Sequence, residues 1–345
     1  MKMDTDLERI ASAFGTRVVT LDSHTAGEMT RLVVDCGSDI KGGTMAEKLE
    51  YFKSNLDHIR LRLTREPRGH RGVLAAAVTE SPTPDAGFGL IYMDAKRYPY
   101  LCGHATIGAV ATLAAAGMLE LSEGENTIPV DTPSGIMNSV AFVQNGKVRD
   151  VAIRMVPSFV LDTGKTVKVD GFGTLSVDLV CAGGFFAMVS SDQVGKELVP
   201  ENADYMADLG MKLIDAANEQ LEVYHPERPE VTTVDVAEFY DVEPEGVMEG
   251  RGLVVYGESK VDRSPCGTGT AAKLTLLHHK GRIGVDEKYK NYSPLGTVFD
   301  SRIVECTNIK EFDAVVAEIK GMAHVTGVHA FVLEDGDPFP EGFLI

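Results

Sequence analysis

The feature that most constrains this chain is a frame that occurs twice. Cys102-Gly103-His104-Ala105-Thr106 and Cys266-Gly267-Thr268-Gly269-Thr270 share the pattern C-G-x-x-T, and the cysteines stand 164 positions apart in a chain of 345 residues. Each frame runs into small and aliphatic residues, "IGAVATLAAAGML" and "AAKLTLLHHKG", that predict a helix too apolar to face solvent. Gly117 and Gly281 then stand where a helix end favours a residue tolerant of positive φ. Farther on, Thr132-Pro133-Ser134-Gly135 answers Ser293-Pro294-Leu295-Gly296, and each leads into an alternating strand pattern. These matches predict two related halves, each with a cysteine at the mouth of its own buried helix.

Most of the remaining chain reads as strand and turn, as in "TRVVTLDSHTAGEMTRLVVDCG", "VRDVAIRMV" and "RGLVVYG". Further helices are predicted over 45–56 and 202–221. Short strands around one buried helix per half make an α+β architecture. The stretch "GFGTL" at 171–175 lacks the third glycine and the following helix of a dinucleotide site. The length exceeds what one core of ordinary size needs, so two domains are expected. Apolar content of 44% and charged content of 24% fit a soluble globular chain. A net charge of −18 argues against nucleic acid and anionic membranes as partners. The opening "MKMDTDLERIASAF" lacks the apolar stretch of a signal peptide, and the uncharged run 107–119 is too short for a bilayer. A cytoplasmic location is the resulting expectation.

The five cysteines are scattered and form no CxxC or CxxH pair, which argues against a disulfide framework or a zinc site. Cys36, Cys181 and Cys306 lie in strand-like runs and read as small buried hydrophobes. Cys102 and Cys266 differ. Exposed N–H groups and the positive end of the dipole at a helix start lower a thiol pKa toward neutrality. Two activated thiols could form and break a disulfide. They could instead transfer protons at a carbon acid, a thiolate taking the α-proton while the opposing thiol returns one to the other face. The second chemistry explains the matched halves, because an inverting catalyst must serve both enantiomers. The helix N-termini also offer anion sites for a substrate carboxylate. Asp262, four residues before Cys266, can receive the charged amine of an amino acid. A non-catalytic amino-acid-binding protein is a further reading.

Taken together, "CGHATIG", "DRSPCGTGTAAK", "HTAGEMTR", "MAEK", "EPRGH" and "YHPERP" resemble the proline racemase family, from about Leu21 to the terminal "GDPFPEGF". That family includes hydroxyproline 2-epimerases and 3-hydroxyproline dehydratases. The resemblance implies the fold of diaminopimelate epimerase: two pseudosymmetric domains, each a curved, mainly antiparallel sheet around a central helix. It places the first domain over 1–157, with a segment near 335–345 returning to it, and the second over 158–334. It also implies a cofactor-independent homodimer, with no metal and a small amino acid as substrate.

By the same resemblance, Cys102 and Cys266 are the acid/base pair. The amides of Gly103 and His104, and of Gly267 and Thr268, hold the carboxylate. His104 and Asp262 flank the ring nitrogen. Dehydratases of the family carry threonine at the second cysteine, so Cys266 argues against that activity. The positions that wall the ring pocket correspond to Leu74 and Tyr256, less aromatic than in proline racemases and bulkier at 256 than in hydroxyproline epimerases. The implied function is inversion of proline or a hydroxyproline, with another amino acid as the alternative and a thiol–disulfide protein as the reading from a different class. His24 and His70 read as scaffold of loops near the cleft, and His278 and His279 as favourable charges at a helix C-terminus.

Overall fold

The computed structural model describes residues 10–11, 13–14, 16–241, 244, 246–257 and 260–345; the first nine residues of the stretch read for a targeting signal lie outside them. Two compact units divide the chain. The first takes the described residues up to 25, then 29–151 and 322–345; the second takes 26–28 and 152–321.

In the first unit, β1 (Thr16–Thr25) pairs antiparallel with β17 (Ala323–Leu333), Thr25 opposite Ala323. β2 (Glu28–Asp35) runs parallel to β3 (Leu74–Thr79), and β3 antiparallel to β4 (Phe88–Met93). β4 is parallel to β5 (Gly124–Thr132), which forms a hairpin with β6 (Gly135–Gln144). The strands are therefore mixed, not uniformly antiparallel. Alternation along them decides which side chains meet which helix. Val33, Ala75, Ala77, Ile91 and Met93 pack on α1 (Met45–Asn55) and α2 (Asp57–Thr64) through Leu49, Phe52, Ile59 and Leu63. The intervening positions turn to the other face, where Tyr92 Oη lies 2.6 Å from Thr106 Oγ1 of α3 (Gly103–Ala115). Every residue of α3 from Gly103 to Leu113 is buried, which is why its sequence is apolar all round. It lies against β1, β3, β6 and β17.

β7 (Lys147–Arg154) carries the chain from one unit into the next. In the second, β8 (Ser158–Val169), β9 (Gly173–Cys181) and β10 (Phe185–Ser190) form an antiparallel meander. β10 is parallel to β11 (Val234–Tyr240), which pairs antiparallel with β12 (Glu249–Tyr256). β12 pairs with the two-residue β13 (Lys260–Val261) and runs parallel to β14 (Tyr289–Tyr292). β15 (Val298–Ile309) and β16 (Phe312–Gly321) complete the series, and β16 returns to β8 with Ala314 opposite Phe159. The expected curved sheet is here a closed one. It surrounds α5 (Gly267–His279), which touches β8, β9, β12, β15 and β16. Outside, α4 (Ala203–Gln220) covers the opposite face through Met206, Leu209, Leu213 and Ala217, against Ala237, Phe239, Leu253 and Val255.

The units match only in part. Two helices stand between β2 and β3 of the first, whereas one long helix stands between β10 and β11 of the second. No described helix is long and apolar enough to cross a membrane.

Candidate active site

Each repeated frame begins a helix, with Cys102 the N-cap of α3 and Cys266 the N-cap of α5. The threonine of the frame closes the first turn: Thr106 Oγ1 donates to the Cys102 carbonyl at 2.8 Å and Thr270 Oγ1 to the Cys266 carbonyl at 2.6 Å. Behind these hydroxyls stand different partners, Tyr92 in the first unit and Asn291 Nδ2, at 2.9 Å, in the second. The third residue of each frame reaches the sulfur. His104 Nδ1 lies 3.4 Å from Cys102 Sγ, and Thr268 Oγ1 lies 3.4 Å from Cys266 Sγ. The family resemblance gave His104 a place at the substrate nitrogen and Thr268 only its amide; both side chains also touch a thiol.

The two cysteines differ in backbone. Cys102 is extended at φ −149°, whereas Cys266 adopts φ +60° and ψ 121°. A non-glycine residue held in such a region costs about 1–3 kcal/mol. In that conformation Cys266 Sγ accepts a hydrogen bond from Gly269 N at 3.4 Å.

The expectation of a lowered thiol pKa fails at Cys266. Its thiol is pushed well above its ordinary value, first by burial and then by the nearby Asp262 carboxyl, against the hydroxyl of Thr268 and the amide of Gly269. A helix N-terminus contributes only fractional charges. Removal from water and a neighbouring carboxylate outweigh them.

Asp262 is itself buried, and its Oδ1 accepts from Ser264 N and Ser264 Oγ at 2.8 Å each. Its pKa is raised by burial and by Glu28. Glu28 is fully buried, with Lys260 Nζ at 2.8 Å and Arg263 N donating to it at 2.9 Å. Lys260 Nζ also stands 5.2 Å from the centroid of the half-buried Tyr256 ring. Tyr256 and Asp262 thus belong to one charged cluster, together with Gly267, Thr268 and Cys266 in the second unit. Gly103, His104 and Leu74 belong with Cys102 in the first. Thr25 Oγ1 donates to the His104 carbonyl at 2.8 Å. Leu74 is buried at the start of β3, on the same face as Tyr92.

Sequence reasoning missed Glu28, Lys260 and Glu238. The first two meet across more than two hundred positions, which no local pattern reveals. Glu238 did leave a signal, a lone carboxylate between Ala237 and Phe239 in a strand whose last four residues are all buried. Of the three other cysteines, two depart from expectation. Only Cys181 is buried; Cys36 is half-exposed with Sγ 3.1 Å from the Ser38 carbonyl, and Cys306 is exposed with Sγ 3.7 Å from His278 Nε2. Cys36 lies just past the end of β2 and Cys306 on an outward position of β15. His70 Nδ1 accepts from Gly72 N at 3.1 Å, and the His24 ring lies 5.4 Å from that of His324. Among the described residues no group of three or more His, Cys, Asp or Glu could hold a metal ion.

The sequence profile of the proline racemase family matches residues 20–344. A proline racemase of Clostridioides difficile is 41% identical over 332 residues, covering 96% of this chain and 99% of that protein. A 4-hydroxyproline 2-epimerase of Streptosporangium roseum is 38% identical, covering 94% of this chain and 97% of that protein. Among solved structures, a hydroxyproline epimerase from Agrobacterium vitis with bound trans-4-hydroxy-L-proline superposes with a TM-score of 0.88 at 28% identity, covering 96% of each chain. With the match running nearly end to end, the chain belongs to the proline racemase family and is an isomerase.

Proposed function

We propose that this isomerase inverts Cα of proline, with a 4-hydroxyproline as the alternative substrate, by proton transfer between two thiols and without a cofactor. The observation that carries the reading is the duplicated sulfur site. Cys102 and Cys266 each open a buried helix, and each sulfur has a polar side chain of its own frame 3.4 Å away. The kinship with proline racemases and 4-hydroxyproline 2-epimerases supports the class of substrate.

The electrostatics suggest how the work divides in the resting protein. Cys266, whose surroundings favour the protonated form, suits the thiol that delivers a proton to Cα. Cys102, with an imidazole nitrogen at 3.4 Å, suits the thiolate that removes one. One turnover exchanges the roles, so the opposite enantiomer is served by the reverse sequence. The first amides of α3 and α5 have no partner inside their helices and suit the substrate carboxylate. Asp262, its proton held by burial and by Glu28, would become a carboxylate when the substrate ammonium arrives beside it. His104 takes the other side of the ring nitrogen, and Leu74 and Tyr256 wall the ring. Proline is preferred because an aromatic at 256 suits an unsubstituted ring. The same proposal reads the two units as pseudosymmetric domains and the protein as a cytoplasmic homodimer, resting on the repeated frame and the family resemblance.

The test uses the purified protein in D₂O with L-proline and, separately, trans-4-hydroxy-L-proline. Deuterium should enter at Cα as optical rotation decays, and Cys102→Ser and Cys266→Ser should each abolish inversion, because a serine hydroxyl is too weak a base near neutrality. Inversion surviving in either variant would eliminate the two-thiol mechanism. Absence of Cα exchange in the unmodified protein, with disulfide turnover instead, would favour the redox reading.

A further inference from the structure

The proposed chemistry makes no use of Glu238, although the fold goes to some length to bury it. The residue sits in β11 opposite Val254 of β12 and beside Met188 of β10, on the face that looks toward α5. It is fully buried, and among the described residues neither carboxyl oxygen has a hydrogen-bond partner. Two glycines make room for it. A Cβ on Gly252 would stand 2.9 Å from Oε1, and a Cβ on Gly269 would stand 2.9 Å from Oε2. That second point is also 3.2 Å from Cys266 Cβ. The carboxyl and the cysteine are therefore neighbours across a single absent methyl group. The residue between them, Gly269, is the one whose amide donates to Cys266 Sγ.

We propose that Glu238 is a positioning residue that, through the first turn of α5, controls whether the Cys266 sulfur can give up its proton. The inference rests on the reading of Cys266 as an acid/base group. A carboxylate here would be an anion with no donor, and a thiolate at Cys266 would be a second anion beside it. Two such charges in one dry site exclude each other, so ionising either group keeps the other protonated. Burial raises Glu238 to about 8, only partly countered by Lys273 and reinforced by Asp262. Near neutrality the carboxyl is thus mostly uncharged and leaves Cys266 free to cycle. At higher pH it ionises and locks the thiol.

The groups that face Glu238 are few. From α5 come Cys266 and Lys273, whose Nζ bonds the Arg251 carbonyl at 3.0 Å and Asn291 Oδ1 at 3.4 Å. Asp262 precedes the helix, and Tyr240 lies two positions along β11. Among the described residues that face Glu238, Lys273 alone is cationic, and its ammonium is already held by two oxygens.

Glu238→Gln keeps the shape and removes the charge. Full-length protein and variant are treated with iodoacetamide from pH 6 to 10, and labelling at Cys102 and Cys266 is read separately by peptide mapping. Above pH 8 the variant should alkylate at Cys266 about five- to tenfold faster, its profile moved to lower pH, with Cys102 unmoved. An unchanged Cys266 profile, or an equal shift at both cysteines, overturns the proposal. If the variant does not fold, infrared spectra of the unmodified protein, isotope-labelled at its glutamate carboxyls, decide the matter. A protonated glutamate band should persist at pH 7 and disappear by pH 10, and its absence at pH 7 refutes the assignment. Alkylation reports the sulfur alone, so a protein that inverts no amino acid would sink the functional reading while leaving this measurement valid.

Discussion

Tyr256 is held at its ring face by the Lys260 ammonium, which is in turn anchored to Glu28. The ring plane is therefore fixed by a charge, and the substrate distinction falls to the hydroxyl. With proline, Tyr256→Phe should leave kcat/KM nearly unchanged, because the cation–ring contact survives in phenylalanine. With a hydroxyproline bonded to that hydroxyl, the loss should be about 1–2 kcal/mol, roughly five- to thirtyfold in kcat/KM. Steady-state kinetics on both substrates separate the cases, and a large loss with proline itself would show that the residue does more than line the ring. At this scale the sequence was legible where chemistry is local. The C-G-x-x-T frames place cysteine, polar third residue and threonine within one helical turn, so their pattern alone located both helix mouths. Asp262, four residues before Cys266, was legible too, but the rest of that environment was not, because Glu238 beside the sulfur and Glu28 beside Asp262 come from the distant strands β11 and β2.

Among the elements, α3 and α5 differ in how tightly a glycine on each is seated, Gly269 in the first turn of α5 and Gly108 in the second turn of α3. A methyl at Gly269 would meet Val254 Cγ2 at 2.8 Å and Glu238 Oε2 at 2.9 Å, whereas one at Gly108 would meet first the hydroxyls of Thr25 and Thr30, at 3.2 Å. Gly269→Ala should therefore destabilise the protein by about 1–3 kcal/mol and displace Cys266. Gly108→Ala should be close to neutral, since helix propensity favours alanine by nearly 1 kcal/mol. Urea denaturation of the two variants gives the comparison; equal losses would mean that the seating of α5 is not special. Helices α1 and α4 match the expected spans 45–56 and 202–221 to within a residue at each end. Helix α2 escaped notice because Leu56 alone separates it from α1 and because buried Arg60 and Arg62 blur its apolar face. The closure of β16 onto β8 joins strands some 155 residues apart at Ala314 and Phe159, a pairing that no periodicity encodes.

For the whole molecule, the buried acids set a direction for stability against pH. Glu238 holds its proton to about 8 when folded and loses it near 4.5 when unfolded. Between those values the native state binds the extra proton, so stability falls as pH rises through the window and levels off above it. Asp262 acts in the same sense from its own lower ordinary value. Calorimetry should show Tm declining from pH 5 to 8, with a smaller decline in Glu238→Gln. Part of any decline comes from the net charge of −18, and added salt should screen that part while sparing the buried one. A Tm that rises over this interval would contradict the assignment. The chain path has its own consequence. β1 pairs with β17, so the earliest strand to leave a ribosome waits for the last. The closed ring of β8 to β16, by contrast, lies almost wholly within one stretch, 152–321. Birth order and completion order are thus reversed: the half synthesised second is the first that can finish its sheet. Its early debt is the segment 26–28, above all Glu28, the anchor for Lys260, already made and waiting at the far end of the nascent chain.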